Sequence, residues 1–209
     1  MSSTWHRLPL AALAAALALA ACLRAALPAP AQSPASASLA GQLLVAAPTM
    51  GDPRFAQTVV LMVRHDKDGA FGLVINRPIA ERSLAVLGEI IGEKEPAADG
   101  SVRIFAGGPV QPEIGFVVHS GEYHGAGTIE IAGGLAMTSS RDVLRDIIRG
   151  SGPKQSLIAF GYAGWGPGQL EGELARRDWV VAPGDAKLVF DEDREKLWDT
   201  AFAARQLDL

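Results

Sequence analysis

At 209 residues, 48% of them hydrophobic and 20% charged, the chain is long enough for one globular domain plus a tail and too apolar for a disordered protein. Nineteen basic residues stand against 23 acidic ones, and residues 1–31 hold two of the basic ones, Arg7 and Arg24, and no acid, so the remainder is more acidic still. An acidic domain whose longest basic run is the pair Arg176–Arg177 disfavours nucleic acid as a partner, and a lone cysteine, Cys22, excludes an intramolecular disulfide or a cysteine metal cluster.

Residues 1–31 read as an export signal. MSSTWHR places one firm positive charge, Arg7, before an Ala/Leu run over residues 8–23. That run is shorter than the roughly 20 residues that span a bilayer and suits a signal peptide. Two cleavage sites compete. Leu19-Ala20-Ala21-Cys22 resembles a lipobox, with Cys22 as the lipidated residue and the only route to a membrane; Ala29-Pro30-Ala31 suits ordinary signal peptidase. The product is then lipid-anchored or periplasmic. A start codon placed too early is the third reading. The Pro/Ala/Ser-rich stretch that follows, with residues 32–38 as its end, has linker composition, and the folded domain begins at Leu39.

Within the domain, residues 43–47 (LLVAA) make a short strand. Gly51-Asp52-Pro53 turns the chain, and Asp52 caps a helical turn over residues 54–57. The β-branched run 58–64 and the run 70–76 are two strands joined through Asp66-Lys67-Asp68-Gly69, a hairpin with Gly69 at positive φ. Ser83 opens a helix with Leu84, Leu87, Ile90 and Ile91 on one face and Gly92 at its end. Strands follow at 102–105, 115–119, 128–131 and 135–138, separated by glycine turns. Ser139 then caps a second helix, with Asp142 near its positive end and Val143, Leu144, Ile147 and Ile148 on its apolar face.

Residues 156–160 (SLIAF) lead into 161–174, GYAGWGPGQLEGEL, which reads as strand, tight turn and helix start, the helix beginning at Gln169. Strands over 179–181 and 187–190 and a last helix capped by Asp191 complete the chain; Leu197, Trp198, Ala201 and Phe202 share that helix's inner face. Hairpins mixed with helical crossovers predict a single α+β domain with a mixed sheet.

No G-x-S-x-G or Walker A pattern is present, and Ser151 in Gly150-Ser151-Gly152 reads as a helix end. His65, His119 and His124 with Glu113 or Glu122 could converge on zinc, but nothing in their spacing demands it, and neither metal nor cofactor is expected. Glu171 and Glu173, two apart on a helix, point to different faces and do not suit joint acid–base work. A phosphate on the glycine turn would meet Glu171 and no following cation. The expectation is therefore a non-enzymatic binding or regulatory module with a protein or small-molecule partner. Its surface is shaped by the turn and the hairpin and drawn from Tyr162, Trp165, Gln169, Asp52, Arg54 and Asn76. The alternative is an enzyme with a polar site at the 52–77 hairpin, using Asp52, Arg54, His65, Asn76 and Arg77. A transcriptional regulator is a second alternative, which the charge disfavours.

Five blocks, QLLVAAPTMGDPRFAQTVVLMVRH, GAFGLVINRP, AGGPVQPEIGFVVH, MTSSRDVLRDIIRGSGP and GYAGWGPGQLEGEL, followed by Trp179, stand in the order seen in the bacterial YqgE/AlgH family, which the chain resembles over about residues 39–209. The resemblance implies a mixed, barrel-like sheet flanked by helices and carries over no catalytic residue. Members of that family look cytosolic and begin near LLVAAPTM, so the resemblance also implies a cytoplasmic alternative for this chain.

Overall fold

Two long strands, Val110–Ser120 and Ser156–Trp165, hold the sheet together in a computed structural model that describes residues 38–94, 97–191 and 193–205. The expected export signal, Cys22 and all of the expected linker but Ser38 lie outside the described residues. In chain order the elements are β1 (Leu43–Ala46), β2 (Val59–Asp66), β3 (Gly69–Val74), β4 (Pro78–Ser83), α1 (Leu84–Ile91), β5 (Ser101–Ala106), β6 (Val110–Ser120), β7 (Thr128–Ile131), β8 (Leu135–Thr138), α2 (Arg141–Ile148), β9 (Ser156–Trp165), α3 (Gln169–Ala175), β10 (Trp179–Ala182), α4 (Ala186–Val189) and α5 (Leu197–Ala203).

Among the described residues the ten strands form one sheet in the order β10-β1-β2-β3-β9-β6-β8-β7, with β5 beside β9 and β4 beside β5. Only the β5–β9 pairing is parallel, so the sheet is mixed. β9 belongs to both halves. Its first residues lie between β5 and β6, and its last three pair with β3. The joint is Gly161, at φ 74, where the β6–β9 register slips between Val110 and Gly115. A Cβ on Gly161 would strike the Gly108 carbonyl, and one on Gly108 would strike the backbone of Tyr162. Two chains cross here with no space for side chains, and glycine on each side allows it.

The sheet curls until its ends approach. Gly41, just before β1, packs on Ala132 of the β7–β8 turn, and Gly133 of that turn packs on Gly184, just after β10. The curl separates three cores by the alternation of side chains along each strand. Leu43, Val45, Leu61 and Leu73 face inward with Phe105, Phe116, Val118 and Leu157, under a lid of Val189, Leu197 and Ala201 from α4 and α5. Leu44, Val60, Met62 and Ala163 face outward beneath Leu170 of α3, with Trp165 and Trp179. On the other half, Val117 and Ile158 face outward beneath Leu84 and Leu87 of α1 and Val143 and Ile147 of α2. This is the α+β, barrel-like sheet with flanking helices that the sequence leads one to expect.

Several local expectations are corrected. Residues 161–165 continue β9 rather than turning after Phe160, because they gain partners in β3 and Val110. Residues 187–190 are not a strand; α4 forms there, capped by Asp185, which accepts from the Lys187 N–H at 2.8 Å. Ser140, not Ser139, caps α2, accepting from the Asp142 N–H. Asp191 does not cap α5, which starts at Leu197 after Lys196. The edge strand β4 has no apolar alternation that could announce it.

Candidate functional site

The glycine turn and the Asp52 turn meet over the outward face of β1, β3, β9 and β10, and between them lies a cleft of about 400 Å³. Asp52 caps a short 3-10 turn, Pro53–Phe55, by accepting from the Arg54 N–H. The same carboxylate takes the Arg54 guanidinium in a two-pronged contact, with Nη2 at 2.7 Å and Nε at 3.1 Å. Arg54 holds the Asp52 carboxyl below its ordinary value, and Asp52 raises Arg54 in turn. A similar pair stands among the other lining residues, with Arg176 Nη2 donating to Asp178 at 2.8 Å. Both arginines remain about two-thirds exposed. The cleft is thus flanked by two planar cations whose orientation is fixed by their own aspartates.

Phe55, Trp165 and Trp179 form its aromatic wall. Phe55 meets Trp179 edge-on at 5.5 Å, and the two indoles meet at 6.0 Å. A buried indole needs an acceptor for its N–H. Both find the same one: Trp165 Nε1 and Trp179 Nε1 each donate to Glu173 Oε2 at 2.8 Å, while Gln169 Nε2 donates to Glu173 Oε1 at 2.9 Å. Gln169 Oε1 in turn accepts from the Gly166 N–H at 3.1 Å, so the turn spends a donor on its own helix. GWGPGQLEGE is therefore a closed hydrogen-bonded unit around one carboxylate.

Trp165, Gln169, Asp52 and Arg54 all line this cleft. Tyr162 and Asn76 do not. Tyr162 is on the opposite face of β9, with Phe71 at 4.8 Å and Phe116 at 6.2 Å, packed on the inner core. The sequence leads one to expect Trp165 displayed on a surface turn; the residue is buried instead, because it completes the outward core. Asn76, just after β3, holds the entry to β2, its Oδ1 accepting from the Val59 N–H at 2.9 Å and its Nδ2 donating to Gln57 O at 2.8 Å. Arg77 donates to Ala56 O. His65 is buried, with Nδ1 accepting from the Leu39 N–H at 3.2 Å and Nε2 donating to Glu171 Oε1 at 3.1 Å, so both ring nitrogens have partners in the fold. The polar residues of the 52–77 hairpin are thereby distributed over separate places.

The histidines considered for zinc also separate. His119 is fully buried, its Nε2 on the Thr138 hydroxyl at 2.9 Å and its Nδ1 on Ser120 O at 3.0 Å. Burial pushes its pKa below the ordinary histidine value. Its ring meets Tyr123, whose phenol donates to Asp146 and is pushed up to about 12 by burial and that carboxylate. His124 faces Glu130 at 3.9 Å. Among the described residues no three His, Cys, Asp or Glu side chains gather as a metal site.

Trp179, Glu173, Arg176, Asp178 and Phe55 line the cleft too, and the sequence alone does not assign them to it. A signal was present: each Trp of an otherwise aromatic-poor domain needs an N–H acceptor, and Asp52–Arg54 and Arg176–Asp178 share an i, i+2 spacing.

A curled mixed sheet with helices on its outer faces, and an aromatic cleft pinned beneath a glycine turn, define an α+β domain of distinctive architecture. The chain belongs to the AlgH-like family of domain-of-unknown-function 179, whose model matches residues 43–209. It is 46% identical over 169 residues to a UPF0301 protein of Sphingopyxis alaskensis, covering 80% of this chain and 89% of that one. To a UPF0301 protein of Methylococcus capsulatus it is 44% identical over 173 residues, covering 83% and 94%. The solution structure of the AlgH protein from Pseudomonas aeruginosa superposes with a TM-score of 0.68 at 42% identity, over 83% of this chain and 92% of that one. A Corynebacterium diphtheriae crystal structure shares the fold, with a TM-score of 0.62 at 24% identity over 81% and 86%.

Proposed function

We propose that this domain is a non-enzymatic binding module with a regulatory role, and that the cleft beneath the glycine turn is its recognition site. One observation carries the reading. The cleft's polar groups are tied to one another in fixed geometry: Glu173 to two indoles and Gln169, Arg54 to Asp52, Arg176 to Asp178. Such an array is preorganised to recognise a shape, since little side-chain freedom is lost when a partner docks. The exposed arginine forks favour a partner that presents a carboxylate or phosphate beside a flat apolar group. Replacing both cations, Arg54→Gln with Arg176→Gln, removes the flanks without touching the aromatic wall. The expected result is loss of partner binding with an unchanged unfolding midpoint; retained binding would exclude the cleft.

The same reading places the domain outside the cytoplasm, as a lipoprotein through Cys22 or as a periplasmic protein cut after Ala31, in keeping with the signal character of residues 1–31. Among the described residues no helix is long and apolar enough to cross a membrane. The intact mass of the protein isolated from cells distinguishes a lipidated start at Cys22, a start at Gln32 and a start near Leu39; the last would make the protein cytoplasmic.

A further inference from the structure

We infer that the groove between α1, the start of α2 and strands β6 and β9 is where a second copy of this chain docks, about a two-fold axis. The groove has a volume of about 380 Å³, and its lining shares no residue with the cleft beneath the glycine turn. Apolar side chains mark the surface. Seven large ones are exposed among the described residues, and three of them, Ile90, Ile114 and Phe160, line this one groove. Val86 extends the patch, one helical turn before Ile90 on the same side of α1. Exposed apolar residues scattered singly need no explanation, but a contiguous patch marks an interaction surface. The fold shows why it is uncovered. α1 buries Leu84, Leu87 and Gly88 and leaves Val86 and Ile90 outward. Residues 111–114 are the bulged part of β6, where its register with β9 slips, and Ile114 is left out of that pairing.

Shape and charge give the occupant. Ile90 is 68% exposed at the groove's edge and stands out as a knob. Beside it Gly115 adds no side chain to the floor, and the Phe160 ring lies against that glycine. A knob next to a hole suits a two-fold interface, in which each Ile90 enters the groove of the other copy. The charges are self-complementary as well. Glu113 and Arg141 both line the groove and both are exposed. Among the described residues neither side chain has an ion pair or a hydrogen bond. Neighbouring charges are engaged or stand aside: Arg145 holds Asp142 at 2.6 Å, Arg149 holds Glu93 at 3.1 Å, and Glu89 does not line the groove. A two-fold axis sets Glu113 of each copy against Arg141 of the other, giving two pairs of opposite sign. A patch with one unpaired charge of each sign, beside its own knob and hole, is matched by its own copy.

The test is analytical ultracentrifugation of the full chain from about 1 to 200 μM. The expected result is a monomer–dimer equilibrium that shifts with concentration. Glu113→Arg and Arg141→Glu, each alone, set like charges together twice and should weaken the dimer by about tenfold or more. The two changes combined exchange the signs and should restore it, while the unfolding midpoint of the monomer stays unchanged throughout. Ile90→Gln, on an exposed helix face, should also weaken the dimer and serves if a charge variant folds poorly. Arg54→Gln with Arg176→Gln should associate as the parent does. A chain that stays monomeric at the highest concentration would leave the groove to a segment of another protein and overturn the inference. So would a combined variant as weak as the single ones, or association that survives Ile90→Gln.

Discussion

Glu173 receives both indole N–H groups of the cleft wall and the Gln169 amide, so one carboxylate satisfies three donors. Replacing it by alanine leaves two largely buried indoles without their acceptor, which should cost about 2–4 kcal/mol. Glu173→Gln retains one oxygen and should cost about half as much. Urea unfolding followed by tryptophan fluorescence measures both, and a loss below about 1 kcal/mol for the alanine variant would mean the network is dispensable. His119 makes a separate prediction. Burial lowers its folded pKa below the ordinary 6.5, so below that value the unfolded chain binds a proton that the folded chain does not. Stability contributed by the neutral ring is complete above about pH 6.5 and is lost as pH falls through the folded pKa. His119→Gln should flatten the stability profile across that acid window. The roles of these residues were only partly legible in the sequence. Trp165 and Gln169 stood out because the glycines around them mark a tight turn. Glu173 was legible only as an acid near a helix start, and only the fold shows that Trp165 and Trp179 both turn their N–H groups to it.

At the scale of elements, the crossing of Gly161 over Gly108 lets β9 serve both halves of the sheet. Gly161→Ala must place a side chain at φ 74 and against a carbonyl. It should destabilise the domain by about 2–3 kcal/mol or more, read from the shift in the denaturation midpoint. A neutral result would contradict the crossing. The helices α1 and α2 and the β2–β3 hairpin were legible because their signals are local: apolar residues every three or four positions, serine caps, and an Asp-Gly turn. The reach of β9 was not. Glycines 161, 164 and 166 look like a break, and what makes residues 161–165 a strand is the pairing offered by β3, nearly a hundred residues earlier. The four residues of α4 fell to the ambiguity of short apolar runs, which suit strand and helix equally.

At the scale of the molecule, curling one sheet gives an inner core, two outer cores and, on one outer face, an aromatic cleft flanked by arginine–aspartate pairs. The order of hairpins and helical crossovers foretold a single α+β domain with a mixed sheet, and the resemblance foretold its barrel-like form. Neither revealed where the curl would leave space, since that depends on how strand ends meet. The central claim is that the aromatic cleft is where this protein recognises its partner. Trp165 and Trp179 make up part of its wall, whereas Trp198 packs elsewhere, against Phe202 and Ala46 O. The most direct measurement is fluorine NMR of 5-fluorotryptophan-labelled protein titrated with the small-molecule fraction of a bacterial extract. The account predicts that the Trp165 and Trp179 resonances shift together while Trp198 stays still, and that the shifts vanish in the Arg54→Gln, Arg176→Gln variant. Shifts confined to Trp198, no shift of the two cleft resonances, or shifts that survive the loss of both arginines would contradict it.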